Sequence, residues 1–388
     1  MLAFDYSNRL LKVRIFMEER NLDCILITNL QNIYWLSGTG QYAIMLIPKE
    51  EEPVLFVRRN IFRAREESVI KNIVELRKTS QIIEFMKEKA ILFENAKIGM
   101  ELDSLPASYY LNYAKMFKEA AIINIEKNLR LLRAIKDQKE LQTLRKAGKI
   151  AQKVQETIQR VISPGMREHE IAAKVMHESL MNKTMHFCKV NGYLDNWFIV
   201  ASGYNLWTPS TFPVLSGNRH SNAIPYCYSD RELKKGDILK CDYAIIYEGC
   251  HVDHARTYYL NPLPPKFKER YIILKEAYEE VVSDYMRPKI PVSEIFFQMK
   301  QRLDKTNLGS YFQGNGYYYQ GLGHGVGLEL DEPPFVTENN ELELEKNMVI
   351  SLEPKIIIPE WGAIDLEDNF IITDGKPERI TQTPYLFE

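Results

Sequence analysis

Two aspartates sit in a stretch that otherwise reads as an apolar β-hairpin, GDILKCDYAIIYEGCHVDHARTYYL over residues 236–260. The β-rich runs Ile238 to Tyr247 and Cys250 to Leu260 flank Glu248-Gly249, and a glycine at so short a connection marks a hairpin turn. Side chains alternate with period two along a strand. An even-numbered connection therefore puts Asp242 and Asp253 opposite or diagonal to each other on one face. Two half-buried carboxylates so placed repel, and one stays protonated unless a divalent cation between them lets both ionise. A metal is the economical reading of the pair. An aspartate pair on a solvated strand edge is the alternative from this stretch alone.

With 388 residues the chain exceeds one typical domain and implies two or three. A net charge of -2, with 26% charged residues, gives no overall electrostatic reason to seek nucleic acid, so a small-molecule partner is expected. No run approaches the roughly 18 apolar residues of a membrane span, and MLAFDYSNRL lacks a basic-then-apolar signal pattern. The expectation is a cytoplasmic protein without a membrane partner. The five cysteines, Cys24, Cys188, Cys227, Cys241 and Cys250, form no CxxC pair and read as reduced, packed thiols.

The first third alternates between helical and strand patterns. Ser7 can cap a helix carrying Leu10, Val13 and Met17, and a β-branched run follows from Cys24 to Thr28. Further runs at Ala43 to Ile47, Val54 to Val57, Ile98 to Met100 and Ala121 to Ile125 are separated by helical patterns such as Gln81 to Leu92 and Ala107 to Phe117. That alternation predicts an α/β domain over residues 1–130, a mixed sheet covered by helices, with no cluster of catalytic residue types. Near Asn128 the texture changes. Asp137 and Glu140 make a capping box for a long helix with Leu141, Leu144, Ile150, Val154, Ile158 and Val161 on its apolar face. Ser163-Pro164-Gly165 stops it, and a second helix is predicted from Arg167 to about Leu180. A second domain, 131–388, begins here. From Val190 the chain becomes aromatic and loop-like, and Trp197, Trp207, Tyr226 and Tyr228 could line a pocket or pack as a surface loop.

Three further residues join the aspartates. His324 sits among Gly321, Gly323, Gly325 and Gly327, which let backbone approach a crowded centre. Glu353 and Glu367 lie in the apolar runs MVISLEPKIIIP and AIDLEDNFIIT on either side of a turn at Pro359 to Gly362, and an odd-numbered connection puts them on one face of a second hairpin. Four carboxylates carry four negative charges, which two divalent ions neutralise and one does not. Oxygen-rich ligation with one histidine suits manganese, cobalt, iron or zinc. Such a centre can hold water as hydroxide and polarise a carbonyl.

At these residues the carboxy-terminal two thirds resembles the pita-bread metallopeptidases, the family of methionine aminopeptidase, aminopeptidase P and prolidase. Their ligand order of Asp, Asp, His, Glu, Glu falls here on Asp242, Asp253, His324, Glu353 and Glu367, in the contexts KKGDILKCD, HVDHART, GHGVGLELDE, SLEPK and LED. The first third, through RLLKVRIFMEERNLDCILITNLQNIYWLSG, resembles the amino-terminal creatinase/prolidase-like domain of the prolidase and aminopeptidase P branch. The resemblance implies a pita-bread catalytic domain and hydrolysis of a peptide or amide bond, of the Xaa-Pro type. It implies two metal ions: Asp242 chelates one, His324 binds the other, Asp253 and Glu367 bridge, and Glu353 binds metal and carries the proton. It also implies a homodimer.

The departures from the family pattern fall around the substrate. The histidine usual seven residues after the ligand histidine is Asp331. A second substrate histidine, expected after a proline, is replaced by Tyr226, with His220 nearby but out of register. The usual arginine two before the last ligand is Asp365, and the usual threonine two after the second aspartate is Ala255. Asp331, Tyr226, His220 and Asp365 are thus the candidate substrate-binding residues. Asp331 and Asp365 exchange donors for acceptors, which predicts poor binding of a substrate carboxylate. Two other readings remain. One keeps fold and metals but acts on a small metabolite, as creatinase-like hydrolases or lyases do. The other is a binding module on a retired scaffold, which predicts eroded ligands that this sequence does not show.

Overall fold

The alternating patterns of the first third fold into a six-stranded mixed sheet. The computed structural model describes residues 4–185, 187–190, 193–196, 198–208, 222–223, 226–314 and 321–387, and the chain divides into two units, Met1–Arg133 and Ala134–Glu388.

In the first unit the strands are β1 (Cys24–Ile27), β2 (Ala43–Pro48), β3 (Val54–Val57), β4 (Asn72–Glu75), β5 (Lys97–Met100) and β6 (Ala121–Asn124), in the order β4-β3-β2-β1-β5-β6. The β1–β2 and β2–β3 pairs are antiparallel and the outer pairs parallel. Every residue of β1, β2 and β3 is buried, as strands covered on both faces require. Helix α1 (Tyr6–Glu19) precedes the sheet, α2 (Leu30–Ser37), α3 (Ile61–Glu67), α4 (Ser80–Glu88) and α5 (Ala107–Met116) lie between the strands in sequence, and α6 (Glu126–Ala134) ends the unit. The α1 cap differs from the sequence expectation. Asp5, not Ser7, accepts from the Asn8 N–H at 3.1 Å, so the helix starts before Ser7 is reached.

The second unit opens on α7 (Gln138–Val161), held by the expected reciprocal cap between Asp137 and Glu140. Its apolar face buries Leu141, Leu144, Val154 and Ile158, each contributing roughly 1.5–3 kcal/mol by removal from water. It ends at Ile162, before Ser163-Pro164-Gly165, and α8 (Glu168–Met181) follows. Short strands β7 (Phe187–Val190) and β8 (Tyr193–Asn196) pair with each other, and β9 (Phe198–Ser202) joins the long hairpin of β10 (Ile238–Tyr247) and β11 (Cys250–Tyr259). The hairpin closes at Tyr247 opposite Cys250. Positive φ at Glu248 (48°) and Gly249 (84°) gives the turn whose twist matches the strands.

Two helices, α9 (Phe267–Tyr285) and α10 (Val292–Asp304), supply Tyr271, Leu274, Tyr278, Ile295 and Met299 to the main core, where they meet Ile350, Leu352 and Phe370. Those last three belong to a five-stranded sheet of β12 (Gly321–Gly325), β13 (Glu332–Thr337), β14 (Val349–Leu352), β17 (Asp368–Ile371) and β18 (Glu378–Arg379), ordered β13-β12-β14-β17-β18. Between β14 and β17 in sequence, β15 (Lys355–Ile358) and β16 (Gly362–Asp365) form the second hairpin, turning through 359–361. All five cysteines are buried and unbridged. No helix among the described residues is long and apolar enough to cross a membrane.

Candidate metal centre

The β10–β11 register places Asp242 opposite Ala255 and Ala244 opposite Asp253. The two aspartates are therefore diagonal neighbours on one face of the hairpin. His324 comes from the middle of β12, which runs between β13 and β14. A side chain at Gly323 would run into the Ser351 carbonyl and one at Gly325 into the Pro333 carbonyl, so glycine is what lets this strand lie so deep.

Glu353 and Glu367 occupy the point where the second hairpin changes partners. Leu352 pairs with Asp368 on one side and Lys355 with Asp365 on the other, which sets Glu353 and Glu367 level with each other. At that level the backbone turns outward. Glu353 N–H donates to the Leu322 carbonyl at 2.9 Å and Glu367 N–H to the Ala255 carbonyl at 3.1 Å. The break thus ties the hairpin to β11 and to the β12 strand at the residues whose carboxylates matter.

The five side chains converge. Donor atoms of Asp253, His324 and Glu367 lie within 4.8 Å of one another. His324 Nε2 is 3.8 Å from Asp253 Oδ2 and 3.9 Å from Glu353 Oε1. His324 Nδ1 lies 3.1 Å from the Gly325 carbonyl and 3.5 Å from Asp331 Oδ1. Ser351 Oγ donates to Glu367 Oε1 at 2.9 Å, and the His254 N–H donates to Asp253 Oδ1 at 3.0 Å. All five residues are buried, Glu367 to 1% exposure.

Electrostatics marks the cluster as short of positive charge. Burial, then the charges of Asp242 and Glu353, push the Asp253 carboxyl well above its ordinary range. Burial, then Asp253 and Glu353, do the same to Glu367. Ionised carboxylates at this depth need a counter-charge, and a divalent cation supplies it. The donor set of carboxylate oxygens and one imidazole fits manganese, cobalt, iron or zinc chemistry.

The other sequence-derived residues fall in different places. Asp331 is partly exposed beside His324. Tyr226 is half-buried, and His220 and Trp197 lie outside the described residues. Asp365 is fully buried, 2.7 Å from Lys240 Nζ and 3.9 Å from Lys355 Nζ. The expected charge excess at Asp365 is therefore corrected: two ammonium groups offset it. Lys240 also lies 2.8 Å from Asp242, and Lys355 touches Glu353. Although burial works against it, the charges of Asp365 and then Glu353 hold the Lys355 ammonium above its ordinary range. The sequence reading missed both lysines. Their signal was their spacing, since Lys240 and Lys355 stand two residues from Asp242 and Glu353 in apolar strands, hence on the same face.

Comparison with known proteins agrees with this geometry. Residues 142–374 match the model of metallopeptidase family M24, and residues 9–135 match the creatinase/prolidase N-terminal domain. The chain is 30% identical over 385 residues to an Xaa-Pro dipeptidase of Pyrococcus furiosus, covering 97% of this chain and 98% of that one. It resembles the crystal structure of the prolidase from Pyrococcus horikoshii with a TM-score of 0.82 at 28% identity, covering 98% of this chain and 100% of that one. It also resembles an Xaa-Pro dipeptidase from Bacillus anthracis with a TM-score of 0.83 at 25% identity, covering 98% of each chain. The chain belongs to metallopeptidase family M24, as a metal-dependent peptide hydrolase with a creatinase/prolidase amino-terminal domain and a pita-bread catalytic domain.

Proposed function

We propose that this enzyme is an Xaa-Pro dipeptidase in which Asp242, Asp253, His324, Glu353 and Glu367 hold two divalent ions, drawn from manganese, cobalt, iron or zinc. The observation that carries the reading is the buried carboxylate excess, in which Asp253 and Glu367 are driven toward protonation by burial and by each other's neighbours. Full-length similarity to Xaa-Pro dipeptidases supports the substrate class. When bound, divalent ions polarise the scissile carbonyl and lower the pKa of water, so that it attacks at neutral pH.

The chain's own groups do the rest. Glu353 directs Oε1 toward His324 and Oε2 toward Lys355, so one oxygen faces the cluster and is placed to move a proton. It takes the proton from the water as the new C–O bond forms, and returns it to the proline nitrogen as the C–N bond breaks. Burial of the cluster excludes bulk water from competing with these contacts. Asp365 is offset by Lys240 and Lys355, so of the two acidic replacements only Asp331, beside His324, is left to oppose a free dipeptide's carboxylate. A homodimer is part of the proposal by resemblance to the two-domain branch of the family, whose amino-terminal domain this chain shares.

The test is kcat/KM with saturating metal for four substrates: an Xaa-Pro dipeptide, the matching Xaa-Ala dipeptide, the Xaa-Pro amide and a longer Xaa-Pro peptide. The free Xaa-Pro dipeptide is expected to be best. No preference for proline removes the substrate assignment, and a preference for the longer peptide replaces it with an aminopeptidase P-like activity. Light scattering that finds a fully active monomer removes the dimer.

A further inference from the structure

Glu168, the first residue of α8, is fully buried, and three separate segments supply hydrogen bonds to it. Its Oε1 accepts from Ser202 N–H at 2.7 Å, Ser202 Oγ at 2.6 Å and Asn205 Nδ2 at 3.1 Å. Its Oε2 accepts from Ser229 N–H at 3.0 Å, Ser229 Oγ at 2.7 Å and Asn205 Nδ2 at 3.2 Å. Ser202 ends β9, Asn205 lies in the turn after it, and Ser229 belongs to the stretch leading into β10. The same helix end grips that stretch through its backbone. Glu168 N–H donates to the Arg231 carbonyl at 3.1 Å, and His169 N–H to the Ser229 carbonyl at 3.0 Å. Hydrogen bonds to a carboxylate are stronger than those between neutral groups, so the joint is a firm one.

The stretch it holds is strained. Cys227 has a φ of 84°, in the left-handed region that residues with side chains avoid, and such a backbone persists only where its surroundings over-determine it. Ser202 and Ser229 meet at one carboxylate, and two residues back along each chain Val200 N–H donates to the Cys227 carbonyl at 2.8 Å. Residues 227–229 therefore run alongside β9 in the same direction. The next residues back along β9, Ile199 and Phe198, pair with Asp242 and Tyr243 of β10. Half-buried Tyr226 is thus set on the far side of β9 at the level of Asp242, two strand spacings or roughly 10 Å from it.

Resting on the peptide-hydrolase reading above and not on the choice of peptide, we propose that Glu168 is a positioning residue for peptide binding. It locks residues 226–229 beside β9 against the strain at Cys227, and so fixes Tyr226 where it meets the bound peptide. Glu168 itself is sealed from the substrate, so its loss is read in KM and not in kcat or metal content.

The experiment uses the full-length, metal-loaded protein and two readouts. The first is thiol labelling by an aromatic disulfide reagent under native conditions. All five cysteines are buried, so general loosening labels all five and local release labels Cys227 alone. Glu168→Gln keeps the size of the side chain but turns an acceptor into a donor. In it Cys227 is expected to react about tenfold faster or more, with the other four thiols unchanged. Adding Cys227→Ser removes the fast thiol. The second readout is KM and kcat for whichever peptide of the panel above the wild type cleaves best. Glu168→Gln raises KM by about fivefold or more, with kcat and metal content within about twofold. In a Tyr226→Ala background the same substitution moves KM by less than about twofold. Ser229→Ala, which removes one hydroxyl from the clamp, moves both readouts the same way by a smaller factor, and decides the matter if Glu168→Gln fails to fold by circular dichroism. Unchanged Cys227 labelling, or labelling of all five thiols together, overturns the clamp. A released Cys227 with an unmoved KM, a fall in kcat in place of the rise in KM, or an equal KM factor with and without Tyr226 overturns the role in peptide binding. Because the peptide is the wild type's own best substrate, a wrong Xaa-Pro assignment changes the panel result and none of these.

Discussion

Two buried ionic clusters lie back to back on the same strands of the catalytic unit, and they are built oppositely. On one face are Asp253 and Glu367, with the carboxylate excess described above. On the other, one or three residues along the chain, are His254, Arg256 and Asp368. Arg256 Nη2 reaches both oxygens of Asp368, at 2.7 and 2.9 Å, and Arg256 Nη1 donates to the Glu367 carbonyl at 2.7 Å. Asp368 also accepts from Thr381 Oγ1 at 2.9 Å and Tyr385 Oη at 3.1 Å, and Arg379 Nε lies 3.6 Å away. The Tyr385 ring covers the Arg256 guanidinium at 4.8 Å. Arg379 Nη2 also pairs with Glu279, so here each charge has its opposite. Period-two alternation has sorted a balanced cluster to one side and an unbalanced one to the other. The balanced side holds the strands in place. The unbalanced side is left wanting cations.

The sharpest way to separate the two sides is Glu353→Gln, which keeps size and a neutral oxygen but cannot accept a proton. Turnover is expected to fall by about a thousandfold, with metal content by elemental analysis largely retained. Wild-type turnover would remove the proton role. Asp253→Asn should lose metal as well as activity.

On the balanced side, Arg256→Met strands the buried Asp368 carboxylate and is expected to lower stability by about 3 kcal/mol in urea unfolding. Adding Asp368→Asn should recover part of that loss. A change under about 1 kcal/mol would mean that the cluster is not structural in the sense argued.

A smaller effect follows from His254. Burial first, then the Arg256 charge, holds its pKa well below the ordinary value of 6.5, so the folded ring stays neutral where the unfolded ring takes a proton. The stability it contributes is complete above that ordinary value and is lost as pH falls through it. The unfolding free energy of the wild type minus that of His254→Gln should shrink from pH 7 to 5, by at most about 1.4 kcal/mol per pH unit. A difference that stays flat over this window contradicts a neutral buried ring.

The smallest change is expected at Asp331, which is partly exposed, where solvent screens its charge. Asp331→Asn should raise kcat/KM for a free dipeptide relative to its amide by roughly two- to fivefold. An unchanged ratio places Asp331 out of reach of the substrate's carboxylate end.

Much of this was legible in the sequence because strand periodicity is strict. The diagonal placement of Asp242 and Asp253, the level placement of Glu353 and Glu367, and the Asp137–Glu140 cap all follow from local spacing. Charge compensation was not, because it is tertiary. Asp365 reads as a lost arginine until β10 and β15 bring Lys240 and Lys355 to it. The tail residues Arg379 and Tyr385 carry no local mark of their pairing with Asp368. Even the α1 cap turned on which of two nearby side chains reaches the Asn8 amide.

The glycines on either side of His324 bear on how such an enzyme can diverge. With the Ser351 carbonyl blocking position 323 and the Pro333 carbonyl blocking 325, no single substitution there can add bulk without displacing a neighbouring strand. Gradual change along this strand is closed off. New specificity has to arrive through residues outside this strand, while the histidine's seat is kept whole.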